Sequence, residues 1–214
     1  MSDPQQDPPL CALVVIADGS EEMEAVIIID LLRRARLDVR VAGLLSADPV
    51  NCSRGVVLVP DAALSTVAHL DYSVVVLPGG LGGAKAFKQS SAIRDLLTSA
   101  LEHPTRRVGL VCAAPIALAG VLAGSAKLRS QYRELEVTSH PSVEREVVDP
   151  LTSAGFNAEY SDQRVVWTLG GRLVTSRGPG TSMEFALAIV TAVAGAERAA
   201  EVAGPLVLYP GQRP

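Results

Sequence analysis

The sequence predicts an α/β fold in which a mostly parallel sheet is covered by helices on both faces and carries a late β-hairpin. Short runs rich in Val, Leu and Ile alternate with longer helical segments along the chain. These runs lack polar alternation, which is typical of parallel strands that are buried on both faces. The segment RVVWTLGGRLVTS places Gly170 and Gly171 between two apolar runs, and this pattern indicates a hairpin turn.

Six strands are predicted before that hairpin. Each is a short run rich in β-branched or aliphatic residues, and turn or helix signals follow it. The predicted strands cover residues 12–17, 39–44, 56–61 at a sheet edge, 73–80, 107–112 and 135–140.

The predicted helices fill the segments between these strands. The first begins near Asp18 or Ser20 as its N-cap and ends near Arg33 and Arg34, where the helix dipole favours cations. The later helices are predicted over 84–102, from 115 onward, over 141–148, from about 181 onward, and within 196–209. No internal repeat or linker is visible, so we expect a disordered tail over 1–10 and a single domain over 11–214.

Composition excludes several classes of protein. The 214 residues are 48% hydrophobic with a net charge of -4, and no run rich in Lys or Arg offers a surface for nucleic acid. No apolar run approaches the ~18 residues that a membrane span needs, and the first residues do not resemble a signal peptide. Three cysteines do not suggest a disulfide framework. We therefore expect a cytoplasmic protein, with nuclear or mitochondrial traffic left open.

Cys112 ends the fifth apolar strand and is followed at once by the small residues Ala113 and Ala114. A residue on such a strand-to-helix turn points toward the open rim of the sheet, where α/β proteins bind ligands. The following helix start should stabilise a thiolate and lower its pKa from ~8.5 into the range of about 3.5–7.5. The alternative is a cysteine packed as a small core residue, and its position in the sequence does not decide between the two.

Glu24 differs from the other glutamates at the start of the first helix. The residues three, four and seven positions later are Ile27, Ile28 and Leu31, so Glu24 lies on an apolar stripe. A partly buried carboxyl group has a raised pKa, and in its neutral form it can donate a hydrogen bond to a sulfur atom. The alternative is that this acidic cluster only stabilises the helix N-terminus.

Two further segments reach the same rim. The glycines of LPGGLGGA do not fit a dinucleotide fingerprint, but a backbone N–H there could bind an oxyanion beside Cys112. His140 follows a predicted strand and could act as a proton shuttle, whereas His69 and His103 lie in polar surroundings. No His, Cys or Asp spacing matches a metal site, so we expect neither a metal nor another cofactor.

The first helix carries four consecutive apolar residues over 26–29, which point in all directions around it. One face can cover the sheet, and the other needs a second cover. We expect a homodimer contact through this helix, with burial under the chain's own tail as the alternative.

Several motifs together resemble the DJ-1/PfpI superfamily over residues 12–208: LVVIADGSEEMEAV, ADPVNCSR, VVLPGG, VCAAPIALA, VTSHP, TSRGPGTSMEFALAIV and AGPLVL. The resemblance implies a flavodoxin-like homodimer with Cys112 as the reactive cysteine and Glu24 as its protonated partner. It also implies that the backbone N–H groups of Gly80 and Ala113 face the sulfur, and that His140 is an active-site histidine.

The same resemblance assigns roles to two residues outside the rim. Arg54 matches an arginine that reaches the partner's site across the dimer, and Cys52 matches a peripheral, modifiable cysteine. Two positions depart from the family pattern: Ala114 stands where Gly is usual, and Leu81 stands where close relatives carry Asn.

The function that the resemblance implies is cysteine-dependent chemistry on small α-oxoaldehydes such as methylglyoxal, free or as early adducts on proteins and nucleotides. The protein would then be a glutathione-independent glyoxalase or deglycase that protects against oxidative stress. The alternative is a redox-sensing chaperone whose Cys112 is oxidised to sulfinate without significant turnover. A third hypothesis is a peptidase, but no histidine adjoins Cys112 in the sequence to activate it.

Overall fold

The structure is a computed structural model that describes residues 10–209. Its centre is a seven-stranded sheet in the order β10-β11-β7-β6-β1-β2-β5. All neighbouring strands are parallel except β10, which is antiparallel to β11. The strands of this sheet are β1 Cys11–Ile16, β2 Asp38–Gly43, β5 Ala62–Ala63, β6 Val74–Leu77, β7 Arg107–Val111, β10 Val165–Thr168 and β11 Leu173–Ser176. The predicted α/β sandwich is confirmed.

Helices cover both faces of the sheet. They are α1 Glu22–Arg34, α2 Leu64–Val67, α3 Leu81–Gln89, α4 Ser91–Glu102, α5 Leu118–Gly124, α6 Ala126–Gln131, α7 Glu144–Ser153, α8 Ser182–Ala194 and α9 Ala196–Ala203. Short 3-10 turns cover Ala114–Ala117, Pro141–Val143, Pro179–Thr181 and Gly204–Leu206. In the described part of the chain, no helix is long and apolar enough to cross a membrane.

The two faces of β1 show why its run is wholly apolar. Leu13 and Val15 pack into the core on one side, while Val14 and Ile16 pack into the core that α1 and α8 cover. Because side chains alternate along a strand, a sheet covered twice requires apolar residues at every position.

The structure corrects three predicted elements. Residues 56–61 do not form an edge strand of the main sheet: β4 Val57–Leu58 pairs only with β3 Val50–Asn51 in a small antiparallel hairpin. The helix predicted over 84–102 is two helices, because Ser90 is extended and caps α4 by accepting from the Ile93 N–H at 3.3 Å. The strand predicted over 135–140 is shorter, and β8 Glu134–Val137 pairs with the unpredicted β9 Asn157–Tyr160.

The predicted N-cap of α1 is also wrong. The cap is Glu21, whose side chain accepts no hydrogen bond from the helix backbone, while the Ser20 hydroxyl accepts from the Ala17 N–H at 3.1 Å. Asp18 accepts instead from the Asn51 N–H at 2.8 Å and so attaches the small hairpin to the main sheet. The tail predicted over 1–10 lies outside the described residues except for its last residue, and the domain boundary at residue 11 stays a prediction.

Candidate active site

Cys112 lies directly after β7, and its backbone is in the left-handed region with φ +62°. Two hydrogen bonds hold it there: its N–H donates to the Ser176 carbonyl at 3.0 Å, and its carbonyl accepts from the His140 N–H at 2.8 Å. A non-glycine residue in this conformation costs about 1–2 kcal/mol. The strand-to-helix turn is therefore strained, and the surrounding elements hold it in place.

Gly79 allows the carboxyl of Glu24 and the side chain of Cys112 to meet. A Cβ atom at Gly79 would lie 2.5 Å from Cβ of Cys112 and 2.8 Å from Oε2 of Glu24. The Gly79 N–H donates to that Oε2 at 2.6 Å. The absent side chain therefore opens the space in which acid and thiol approach each other.

Glu24 is fully buried in the first turn of α1. Burial raises the pKa of its carboxyl to about 7, although hydrogen bonds from Gly79 and from the Cys112 thiol act in the opposite direction. Oε1 is buried and has no hydrogen-bond partner among the described residues. The unpaired oxygen and the raised pKa both favour a protonated carboxyl group.

The thiol of Cys112 behaves differently from the sequence prediction. Burial, and next the charge of Glu24, raise its pKa to about 12, although the N–H groups of Gly80 and Ala113 lower it. The predicted thiolate pKa of about 3.5–7.5 is therefore wrong, and burial of the thiol is the main cause. The stabilisation expected from the following helix is also weak, because α5 begins only at Leu118 and a short 3-10 turn separates it from the thiol.

The backbone N–H groups of Gly80 and Ala113 hydrogen-bond to the sulfur of Cys112. Gly80 has φ +80° and is the residue before α3, so its N–H belongs to the positive end of a nine-residue helix. These two donors and the Glu24 carboxyl therefore all contact the same sulfur atom.

His140 is joined to the Cys112 loop by its backbone, and its ring is exposed. Nδ1 accepts from the Ser142 N–H at 3.2 Å and lies 2.7 Å from the Ser142 hydroxyl. A neutral ring that accepts at Nδ1 carries its proton on Nε2. The sequence analysis missed Ser142, which favours this tautomer. A serine two residues after the histidine is typical of a local turn, and this spacing was the signal that could have found it.

The chain is similar to known proteins over most of its length. The profile of the DJ-1/PfpI family matches residues 11–192, a range that contains the thiol, the buried acid and the histidine. The chain belongs to the DJ-1/PfpI family.

Relatives from an insect, a fish and a nematode are similar to most of this chain. Drosophila melanogaster Protein dj-1beta is 45% identical over 201 residues, covering 92% of this chain and 97% of the relative. The Danio rerio Parkinson disease protein 7 homolog is 43% identical, covering 92% and 96%. A Caenorhabditis elegans protein named glutathione-independent glyoxalase DJR-1.2 is 34% identical, also covering 92% and 96%.

Solved structures show the same fold. The crystal structure of Drosophila DJ-1beta has a TM-score of 0.80 and 42% identity, and covers 94% of this chain and 100% of its own. A Toxoplasma gondii DJ-1 described as oxidized has a TM-score of 0.76 and 30% identity, and covers 92% and 98%.

Arg54 does not reach the thiol within one protomer. It lies in the turn between β3 and β4, where its N–H donates to Glu22 Oε1 at 2.8 Å and its guanidinium is exposed. The Ser53 hydroxyl contacts Glu21 and Glu22 at 2.6 and 2.8 Å, so the start of α1 holds this turn. Burial opposes ionisation of Glu22, but hydrogen bonds from its own backbone, Ser53 and Arg54 together lower its pKa.

Cys52 lies outside the site, between β3 and β4, whereas the two departures from the family pattern directly follow Gly80 and Ala113 in the chain. Cys52 is buried, and burial together with the charge of Glu22 raises its pKa to about 11. Ala114 is completely buried at the start of the 3-10 turn, whereas Leu81 is 49% exposed as the first residue of α3. Over residues 10–209, no group of three or more His, Cys, Asp or Glu side chains could hold a metal.

Proposed function

We propose that this protein is a cysteine-dependent enzyme that converts α-oxoaldehydes to hydroxy acids, acting on free methylglyoxal or glyoxal and on their early adducts with proteins and nucleotides. One observation carries the proposal: a fully buried carboxyl group with an unpartnered oxygen lies against a strained cysteine. A nematode relative that is 34% identical is named a glutathione-independent glyoxalase, which supports the same substrate class.

The raised pKa of Cys112 makes Glu24 the base for the first step. As Sγ forms a bond to the aldehyde carbon, the thiol proton moves to the Glu24 carboxylate and the carbonyl π electrons move to oxygen. The N–H groups of Gly80 and Ala113 lie at the sulfur and would stabilise that developing oxyanion. A pKa of about 7 lets Glu24 accept and return a proton near neutral pH.

The second step moves hydrogen within the bound substrate. Removal of the proton from the former aldehyde carbon and protonation of the neighbouring carbonyl carbon give a thioester of a hydroxy acid, with Glu24 and His140 moving the protons. Water then attacks the thioester, the C–S bond breaks and the thiol regains its proton. Methylglyoxal plus water thus gives lactate, and no oxidant, reductant or cofactor takes part.

Turnover of methylglyoxal to lactate tests the proposal in four proteins: the wild type, Cys112→Ser, Glu24→Gln and Cys52→Ser. We expect Cys112→Ser and Glu24→Gln to lose at least about 100-fold in rate, the usual contribution of a nucleophile or a general base. Cys52→Ser is the matched control, because Cys52 is a buried thiol outside the site. Equal rates in the wild type and Cys112→Ser would show that the reaction is adventitious.

The second candidate function is a redox-sensing chaperone. A protonated Glu24 Oε1, unpartnered in this structure, could donate to an oxygen of a Cys112 sulfinate, and the Toxoplasma gondii DJ-1 structure is described as oxidized. Two equivalents of hydrogen peroxide convert the thiol to sulfinic acid and release two equivalents of water. A mass gain of two oxygens at Cys112, combined with negligible aldehyde turnover, would favour this function.

The active unit is proposed to be a homodimer. Met23 and Val26 on α1 are 55% and 46% exposed, and Val57 and Val59 of the adjacent hairpin segment are 53% and 70% exposed. A two-fold contact would cover these apolar side chains and carry the exposed Arg54 toward the partner's thiol. We also propose a cytoplasmic location, with nuclear or mitochondrial traffic left open, and no direct binding to nucleic acid. The acidic net charge and the few cysteines support these two points.

A further inference from the structure

A cavity lies at the pole of the sheet opposite Cys112, where β1, β6 and β7 begin. Its volume is about 460 Å³, within the size range of small-molecule sites. Leu10, Tyr72 and Val193 give it an apolar wall, and Arg106, Arg107 and His103 give it a basic one. The five residues of β7 separate it from the thiol by roughly 16 Å.

The two arginines of this cavity are paired differently. Nη2 of Arg106 binds Asp71 Oδ1 at 2.7 Å. Arg107 forms no ion pair with any described residue; its Nη1 donates only to the Thr105 carbonyl at 3.3 Å. Among the charged lining residues, Asp71 neutralises Arg106 and leaves the positive charge of Arg107 unbalanced.

Both arginines also have a buried Nε without a hydrogen-bond partner. Buried donors in folded proteins are nearly always paired, so the two guanidinium groups are incompletely hydrogen-bonded at their inner edge, and their outer Nη groups are the donors that a ligand in the cavity would meet. Glu24 Oε1 in the candidate active site shows the same feature. In the described part of the chain only four buried side-chain atoms are unpaired, and three of them lie in these two places.

We propose that this cavity binds a small organic anion whose carboxylate or phosphate group is held by Arg107. The guanidinium group offers a planar fork of N–H donors that matches the two oxygens of such a group. Leu10, Tyr72 and Val193 would contact the apolar body of the ligand. The exposed Asp71 remains paired with Arg106 and favours a ligand with a single anionic group over a more highly charged one.

A titration observed at the arginine side chains tests this proposal. Benzoate and phenyl phosphate are the anionic probes, and benzamide is the neutral probe of the same shape. In the full-length protein, NMR follows the Nε–H signal of Arg107 as each probe is added. We expect saturable shifts of this signal with at least one anion, affinity at least about tenfold weaker for benzamide, and weaker binding at higher salt. The tighter anion identifies the carboxylate or the phosphate class.

Variants then locate the site. Arg107→Gln should weaken the anion at least about tenfold, whereas Arg129→Gln, which changes an exposed arginine on α6, should have no effect. Cys112→Ser should bind the anion as the wild type does, because the cavity lies at the other end of β7. Arg107→Lys keeps the charge but removes the fork, so it should show an intermediate loss.

Three results would overturn the proposal: no saturable shift at Arg107 in the wild type, equal binding of benzamide, or unchanged anion affinity in a folded Arg107→Gln. The first measurement needs no variant, so an unfolded variant does not leave the question open. The proposal does not depend on aldehyde chemistry at Cys112, and the two can fail separately.

Discussion

Replacing Glu24 by Gln should remove a pH dependence of stability that its burial creates. In the folded protein the carboxyl has a pKa of about 7, compared with an ordinary value of 4.5. The folded state therefore prefers the neutral acid, and the contribution of Glu24 to the free energy of unfolding is greatest below about pH 4.5. As pH rises through 7 this stability is lost, because the unfolded chain releases the proton more readily.

The size of this effect follows from the two pKa values. A rise from 4.5 to about 7 corresponds to about 3 kcal/mol of folding free energy, and about 2.5 kcal/mol of that falls between pH 5 and pH 8. In Glu24→Gln, the amide side chain would keep an oxygen for the Gly79 N–H but cannot ionise. The stability of this variant relative to the wild type should therefore rise by about 2.5 kcal/mol over that interval.

Urea unfolding at a series of pH values measures this difference, with both proteins at one concentration and under reducing conditions. The same pair compared in a Cys112→Ser background separates the carboxyl from the thiol. Parallel stability curves for wild type and Glu24→Gln between pH 5 and pH 8 would contradict this account. They would mean that Glu24 ionises in the folded protein as an exposed acid does, and the proposed base in the first step would lose its support.

Substitutions at three more positions test the site and the proposed interface. Gly79→Ala places a Cβ 2.5 Å from Cβ of Cys112, so we expect a loss of at least about 2 kcal/mol in unfolding free energy, together with loss of turnover. Cys112→Gly should be more stable than Cys112→Ala by about 1 kcal/mol in denaturant unfolding, the reverse of the usual order, because φ is +62°. Val26→Asp on the exposed face of α1 should convert the proposed dimer to a folded monomer in sedimentation equilibrium; an unchanged mass would show that this face is not the interface.

The order of buried strands and helices could be predicted because each depends on a local pattern. The apolar runs at β1, β6 and β7 are long enough to be recognised, and both faces of the sheet are covered. The burial of Glu24 could be predicted because the apolar residues that follow it lie on the same side of a helix, and the structure buries it completely.

Other features could not be predicted, because they depend on residues far apart in the sequence. Residues 56–61 read as a strand, yet Val57 and Val59 are exposed and only a two-residue pairing with β3 forms. The pair Arg106 and Arg107 follows no binding motif, and only the meeting of three strand beginnings places both side chains in one cavity.

The local sequence is enough to establish that a thiol ends one buried strand and that an acid lies on the apolar side of the first helix. The protonation of these two groups depends on the assembled fold, because a pKa sums desolvation and contacts from every surrounding element. Burial among distant segments raises the pKa of Glu24, and the opposing hydrogen bonds come from Gly79, which is 55 positions away, and from Cys112 on a third segment. The spacing of residues fixes which side chains are buried, whereas the assembled sheet fixes which charges those side chains can hold.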